Sequence, residues 1–584
     1  MSKKIHTPMP GIITQILVET GHQVTKGQDL VIIEAMKMEN AIQSPEDGVI
    51  QTIHIQVGDL IEKEELIITY VSQSVNKVPE EGAVSAGHID HGPIQELLAR
   101  RHLLTDEARP TAVEKRRKKG RLTAREGVAL LTSAGSFREY GSFIIAAQRS
   151  RRSEEDLIAN TPADGLVAGI AEVVMEEQKQ KAVVMAYDYT VLAGTQGTMN
   201  HMKMDRMIEL AHDQHLPVVL FAEGGGGRPG DVDTNAIAGL FISTFTRYAG
   251  LRDFVPTVSI VTGYCFAGNA ALAGSSDLII GTKDISIGMG GPAMIEGGGL
   301  GKFHPKDVGP ADVQTANGVI DVLVEDDKEA IKVAQRYLGY YYASSAEYRV
   351  PDQTLLQDVI PDQRKRTFDI KRLITQLCDE ESVLFIQEAY AQGMITALGR
   401  VEGKSIGIIA NDSRHEAGAI TADCARKAAS MIDRCHRYNL PVLSLIDTPG
   451  IMVGPIGESQ GTVKAAGELF VSGARLRPPL LSVVVRRAYG LGAMAMMGGG
   501  AHRSTATVAW PSAEFGAMGI EGAVQLGYRK ELESISDPAK RKAAFDEMVA
   551  DAYKRGRAIQ AATLFEIDEV IQPKETRSWI TSLL

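Results

Sequence analysis

Over residues 5–71, apolar and polar positions alternate in short runs broken by glycine. Residues 11–21 begin and end on glycine and are followed by Val24, Lys26 and the apolar run 30–33. The same order returns at 48–58, followed by Ile61, Lys63 and the run 66–68. Alternation between turn glycines predicts short strands. Two such copies predict a flattened barrel with pseudo-twofold symmetry. Between the copies, runs 30–33 and 40–43 read as a hairpin with Glu34-Ala35-Met36-Lys37-Met38-Glu39 at its tip.

A longer pattern follows. Residues 165–300 match 389–524 at a shift of 224: Gly169 falls on Gly393, Asp188 on Asp412, Leu216-Pro217 on Leu440-Pro441, Glu223 on Asp447, Gly226 on Gly450, Gly268 on Gly492, and Ala293-Met294 on Ala517-Met518. One register held over so many turns marks an internal repeat. Each copy alternates strand-like runs (181–187, 217–222 and 258–261; 441–446 and 481–485) with helical ones such as 199–212. Strand, glycine-rich turn and helix in succession predict an α/β fold with ligand sites at strand ends. The turns of interest are Gly263-Tyr-Cys-Phe-Ala-Gly268 and Ala488-Tyr-Gly-Leu-Gly492. A helix N-terminus after such a turn presents unpaired N–H groups and a positive dipole end, which hold an oxyanion without any side chain. For one glycine-rich turn alone, close helix–strand packing is the better explanation of the glycine.

The chain has 584 residues, 44% hydrophobic and 23% charged, as in a soluble globular protein of several domain-sized units. A net charge of -11 argues against general nucleic-acid binding. Cys265, Cys378, Cys424 and Cys435 show neither metal-binding nor secretory spacing. The N-terminus has no apolar signal core, and no run reaches membrane-spanning length. These features predict a cytoplasmic protein in a reducing compartment. Residues 72–92 are polar, carry Pro and Gly, and read as a tether with a reach of roughly 25 Å. Boundaries therefore fall at 1–71, 72–92, 93–345 and 346–584.

Met36-Lys37-Met38 inside the first repeat resembles the attachment site of biotinyl carrier domains. The resemblance implies biotin bound covalently to Lys37, with Met36 and Met38 in the motif read by a biotin protein ligase. Lipoyl carriers are similar but lack Met-Lys-Met. The stretch 120–137, with Gly120-Arg-Leu-Thr-Ala-Arg-Glu126, together with Arg486-Arg487-Ala488-Tyr489-Gly490, Ala509-Trp510-Pro511 and Gly516-Ala517-Met518-Gly519, resembles the carboxyltransferase of biotin-dependent acyl-CoA carboxylases. The fold this implies is two tandem crotonase-like α/β domains behind a small all-β biotinyl domain.

By residue, the resemblance places one oxyanion hole on the N–H groups of Ala267 and Gly268, for the acyl-CoA thioester oxygen. It places the other on Leu491 and Gly492, for the ureido oxygen of biotin. The implied reaction moves the carboxyl group of carboxybiotin on Lys37 to the α carbon of an acyl-CoA through an enolate. Ala267 and Leu491 stand where glycine is usual in the family. Met494 aligns with a position lining the acyl pocket, although simple helix packing explains it as well. The basic run 115–121 reads as a solvated face or as a contact for coenzyme A phosphates. Glu223 and Asp447 are an acid–base pair or merely a shared turn. His212 and His215 lack a third ligand. The implied partners are a separate biotin carboxylase and further copies of the chain, as a homo-oligomer, a hexamer in this family. The competing functions are a sodium-pumping acyl-CoA decarboxylase running the same chemistry backwards, a non-enzymatic carrier scaffold, and a crotonase-type hydratase.

Overall fold

The computed structural model describes residues 2–73, 92–175, 178–228, 230–233 and 239–584. Most of the expected tether, 74–91, lies outside them. Two compact units are present, residues 1–93 and 94–584.

In the N-terminal unit, two four-stranded sheets enclose one core of Ile13, Leu30, Val31, Ile33, Ile50, Ile67 and Ile68. The repeat is exchanged between sheets: Leu60–Ile61, from the second copy, pairs with Gly11–Ile16 of the first, and Gln23–Val24 pairs with Gly48–Ile53. The symmetry reaches individual contacts. A Cβ on Gly11 would lie 2.5 Å from the Glu34 carbonyl oxygen, and one on Gly48 2.7 Å from that of Val71, 37 residues on in both cases. Backbone packing fixes these glycines, which is why the sequence repeats them.

The larger unit holds two mixed sheets of like order. Among the described residues, the first runs Val322–Val324, Leu278–Thr282, Thr257–Val261, Val218–Phe221, Gln178–Tyr187, Leu166–Met175, Arg138–Glu139. The second runs Leu384–Ile386, Met394–Val401, Lys404–Asn411, Val442–Thr448, Leu480–Tyr489, Ala506–Ala509, Glu569–Val570, with Glu514–Gly516 beside Leu480–Tyr489. In each, an antiparallel hairpin leads into parallel strands whose crossovers are helices, Thr198–Asp213 in one copy and Ala422–Arg437 in the other. This is the tandem α/β architecture the repeat predicts.

The two copies share one hydrophobic core. It joins Val184, Ile260 and Ile280 to Met394, Ile409 and Val484, with Tyr337 and Leu338 of the helix Asp327–Tyr342 among them. At the junction, buried Asp277 of the first copy accepts from Arg437 Nη2 (2.8 Å) and Tyr438 Oη (2.6 Å) of the second. Backbone repeats with the sequence: left-handed residues recur at Ala163 and Gln387 and at His215 and Asn439, each pair 224 apart. Near the C-terminal end of the repeat the sequence register fails. Ala293-Met294 lie inside the helix Pro292–Gly297, whereas Ala517-Met518 precede the helix Ile520–Gly527. The intervening loops differ in length.

Candidate functional site

Lys37 is the second residue of a two-residue turn between strands Asp29–Ala35 and Met38–Gln43. Met36 and Lys37 both take positive φ, 54° and 64°. A two-residue hairpin needs this twist to match its strands, although Asn and Gly adopt it more readily. Met36 is 97% exposed and Met38 68%, so neither fills the core. Lys37 is exposed too, and among the described residues its ammonium has no ion-pair partner. An amine presented on a rigid tip between two protruding thioethers fits covalent attachment of a carboxylic-acid cofactor.

In the larger unit, each copy ends a strand in a left-handed residue and starts a short helix at once. In the first, Tyr264–Phe266 leads to Ala267 (φ 52°) and the helix Gly268–Gly274. In the second, Leu480–Tyr489 leads to Gly490 (φ 57°), which opens the helix Gly490–Met496. Matched on the left-handed residue, Gly268 corresponds to Leu491 and Asn269 to Gly492, a shift of 223 rather than the expected 224. The N–H groups of Gly268 and Leu491 have no acceptor among the described residues.

Of the other two expected donors, only Ala267 has an acceptor for its N–H among the described residues. The Ala267 N–H donates to the Gly288 carbonyl at 3.0 Å, because residue 267 continues the pairing of Tyr264–Phe266 with Ser286–Gly288. It is therefore not offered to a ligand. Gly492 packs against a neighbouring loop: a Cβ there would lie 2.6 Å from the Gly450 carbonyl carbon.

In each copy a neighbouring loop, not singled out in the sequence, also leaves an N–H without an acceptor among the described residues. Leu192, Ala193 and Gly194 have φ of 47°, 54° and 63°, and Glu416, Ala417 and Gly418 have 47°, 51° and 78°. Both loops press on the strand end beside them. A Cβ on Gly194 would lie 2.4 Å from the Glu223 carbonyl oxygen, and one on Gly418 2.5 Å from that of Asp447. Gln196 N–H donates to Gly226 O (2.7 Å) and Ile420 N–H to Gly450 O (3.0 Å). Gly226 in turn packs on Ala267 and Gly268, as Gly450 does on Gly492. So three loops converge at one glycine in each copy. The N–H groups of Ala193 and Ala417 have no acceptor among the described residues. The sequence signal was there: Ala-Gly at 193–194 and 417–418 keeps the shift of 224.

Beside each site lies a carboxylate locked by arginine. Glu223 takes two bonds from Arg116, at 3.1 and 2.5 Å. Asp447 accepts from Arg486 (3.2 and 2.6 Å) and Arg487 (2.7 Å). Burial pushes the Asp447 carboxyl up, but bonds from Arg487 and Arg486 outweigh it and hold it below the usual carboxylate range. Both carboxylates are thus ion-paired anchors, which favours the shared-turn reading over acid–base work.

Two cavities adjoin the turns. One of about 750 Å³ is lined by Lys115, Lys119, Lys306, Tyr189, Gly263 and Tyr264. In the basic run, Arg116 is tied to Glu223 and Arg121 to Asp327 (2.9 Å), while Lys115 and Lys119 stay exposed. The other cavity, about 660 Å³, is walled by Met494, Met497, Phe515, Met518, Ile520 and Leu564 beside Gly490. Among the described residues no helix is long and apolar enough to cross a membrane.

Residues 115–583 match the model described as the carboxyl transferase domain, and residues 3–70 that described as biotin-requiring enzyme. The methylmalonyl-CoA carboxyltransferase 12S subunit of Propionibacterium freudenreichii subsp. shermanii is 28% identical over 84% of this chain and 94% of its own. The propionyl-CoA carboxylase beta chain of Roseobacter denitrificans is 30% identical over 79% and 89%. Among solved structures, a single-chain, multi-domain long-chain acyl-CoA carboxylase is 46% identical with a TM-score of 0.80. It covers all of this chain, which spans 56% of that enzyme's length. The transcarboxylase 12S hexamer, solved with methylmalonyl-CoA, gives 27% identity, a TM-score of 0.75, and 85% and 95% coverage.

Proposed function

The chain belongs to the carboxyl transferase family and carries a biotin-requiring domain on residues 3–70, and from that premise we propose which of its residues perform the transfer of a carboxyl group between biotin and an acyl-CoA. Biotin, attached at Lys37, supplies the carboxyl group in transit and a basic nitrogen. The protein supplies two donor pairs. Ala193 and Gly268 hold the thioester oxygen of the acyl-CoA as its α carbon loses a proton and charge builds on that oxygen. Ala417 and Leu491 hold the urea oxygen of the cofactor. Donors fixed in advance stabilise charge where it develops and cost no reorganisation, and losing one costs about 3 kcal/mol. The observation that carries this reading is the doubled geometry: among the described residues, Ala193 and Gly268 in one copy, and Ala417 and Leu491 in the other, leave their N–H groups without an acceptor on loops that meet at Gly226 and Gly450.

Lys115, Lys119 and Lys306 fit the phosphates of coenzyme A, since flexible ammonium groups around a cavity attract anions without demanding one geometry. The methionine-walled cavity fits an apolar acyl chain, and thioether side chains adapt to its shape. The 46% identity to a long-chain acyl-CoA carboxylase supports a medium to long chain. The relatives' activities, carboxylation and carboxyl transfer, support this direction over a decarboxylating pump.

The site is completed in an oligomer, a hexamer like transcarboxylase 12S. Exposed Leu240 and Phe241 in the first copy, and Val453 and Ile456 in the second, supply apolar surface for such contacts. A separate biotin carboxylase charges the cofactor and a biotin protein ligase attaches it.

The test is to incubate biotinylated protein with a generic biotin carboxylase, ATP, bicarbonate and acyl-CoA esters from acetyl to palmitoyl, with mass spectrometry of the esters. Carboxylated products that favour the longer chains support the reading. Products confined to acetyl- and propionyl-CoA would remove the chain-length assignment. No product from any ester would remove the transfer itself.

A further inference from the structure

The two donor pairs are braced differently. In the first copy Asn269 ties the loops together: its Oδ1 accepts from Gly226 N–H at 3.0 Å, and its Nδ2 donates to Gly194 O at 3.4 Å. The corresponding residue in the second copy is Gly492, which has no side chain to do this. Yet Ala417 there still holds φ of 51°, a conformation that a non-glycine residue keeps only where its surroundings hold it.

We propose that Arg487 replaces the missing amide and is the positioning residue for the second donor pair. This rests on the donor assignment above, and three bonds of Arg487 carry it. Arg487 Nη2 donates to the Ala417 carbonyl at 2.8 Å. Its Nε donates to Asp447 Oδ1 at 2.7 Å, and its backbone N–H reaches the same oxygen at 3.2 Å. Asp447 is fully buried and separately anchored by Arg486, so the guanidinium rests on a fixed point.

Arg487 lies on the strand Leu480–Tyr489, just before Gly490 and Leu491. One side chain therefore connects the segment bearing the Leu491 donor to the loop bearing the Ala417 donor and sets their separation. The planar fork reaches carboxylate and carbonyl together, which a lysine ammonium on a flexible stem does not. In the first copy the place of Arg487 is taken by Tyr264, and the arginine on Glu223 is Arg116, from outside the repeat. The brace is thus particular to the second site.

The experiment measures carboxyl transfer by biotinylated full-length protein carrying Arg487→Ala or Arg487→Lys. Arg487→Ala leaves Asp447 paired to Arg486, so its thermal unfolding should stay near wild type. Misplacing a donor by about 1 Å costs on the order of 100-fold. The expected result is a fall in kcat of roughly 30- to 100-fold with KM for acyl-CoA within about twofold of wild type. Arg487→Lys should recover only part, and guanidinium ion added to Arg487→Ala should restore more rate than methylammonium. Undiminished kcat in Arg487→Ala would overturn the brace alone. So would a parallel rise in KM without guanidinium rescue. A wild-type protein that moves no carboxyl group would overturn the donor assignment together with it.

Discussion

Ala193 and Ala417 stand 224 residues apart and share one left-handed backbone, with φ of 54° and 51° and ψ of 34° and 23°. Each precedes a glycine pressed against the carbonyl of a buried carboxylate residue, Glu223 or Asp447. On the proposed assignment catalysis lies in backbone N–H groups, so variants sort by what they do to the N–H. Leu491→Ala keeps the donor and Leu491→Pro removes it, and proline suits the first turn of a helix. Transfer should fall about 100-fold in Leu491→Pro and only a fewfold in Leu491→Ala, measured as kcat. Equal losses would point to the side chain instead.

Glu223 anchors Arg116 and, through it, the segment lining the lysine-rich cavity. Glu223→Ala leaves a largely buried guanidinium without its partner, a change that typically costs about 3–5 kcal/mol. Unfolding by urea should begin at markedly lower concentration, while Glu223→Gln, which keeps an acceptor, should lose less. An unchanged urea curve in Glu223→Ala would show that Arg116 is anchored elsewhere.

Asp164 supports the first donor loop. It pairs with Arg228 at 2.7 Å, and Arg228 Nη2 also donates to Thr195 O at 3.3 Å. Burial pushes the Asp164 carboxyl up to about 6 despite Arg228, with Asp231 adding to the rise. The folded pKa lies above the unfolded value, so this group's contribution to stability is full at low pH and is lost as pH rises through 6. Between pH 5 and 7 wild type should lose about 1 kcal/mol relative to the Asp164→Asn variant. Denaturation of both proteins at the two pH values checks it. A constant difference would contradict it.

Met494 is 42% exposed and faces the methionine-walled cavity. Met494→Trp would fill part of that space. The kcat/KM for palmitoyl-CoA should drop by about tenfold or more, and that for propionyl-CoA should change little, since each buried methylene is worth about 0.8 kcal/mol. A uniform drop across chain lengths would assign Met494 to helix packing.

Much of this was legible in the chain. Glycines at 11, 48 and 492 mark close approaches to neighbouring backbone, and those at 226 and 450 take positive φ of 84° and 121°, so both repeats show in the letters. The Met36-Lys37-Met38 tip shows for a similar reason, since it protrudes and its motif is read directly. The donors were harder to place. Gly492 stands 224 after Gly268 and packs on Gly450, whereas the backbone match to Gly268 is Leu491, which is why the proposed donor is one residue earlier. Ala267 lost its N–H to Gly288 through a strand pairing that no local pattern announces. Ala193 and Ala417 carry ordinary side chains in an uncommon backbone, and side-chain letters do not report φ.

On this reading the chain moves a carboxyl group between Lys37-borne biotin and an acyl-CoA. The half-reaction run in reverse tests it without any second enzyme. Biotinylated protein would be mixed with a carboxylated acyl-CoA labelled in the transferable carboxyl group, and the Lys37 peptide recovered under mildly alkaline conditions. Label on that peptide, absent from Lys37→Arg and strongly reduced in Leu491→Pro, is the predicted result. Biotinylated wild-type protein that takes up no label from short- or long-chain carboxylated esters would contradict the account.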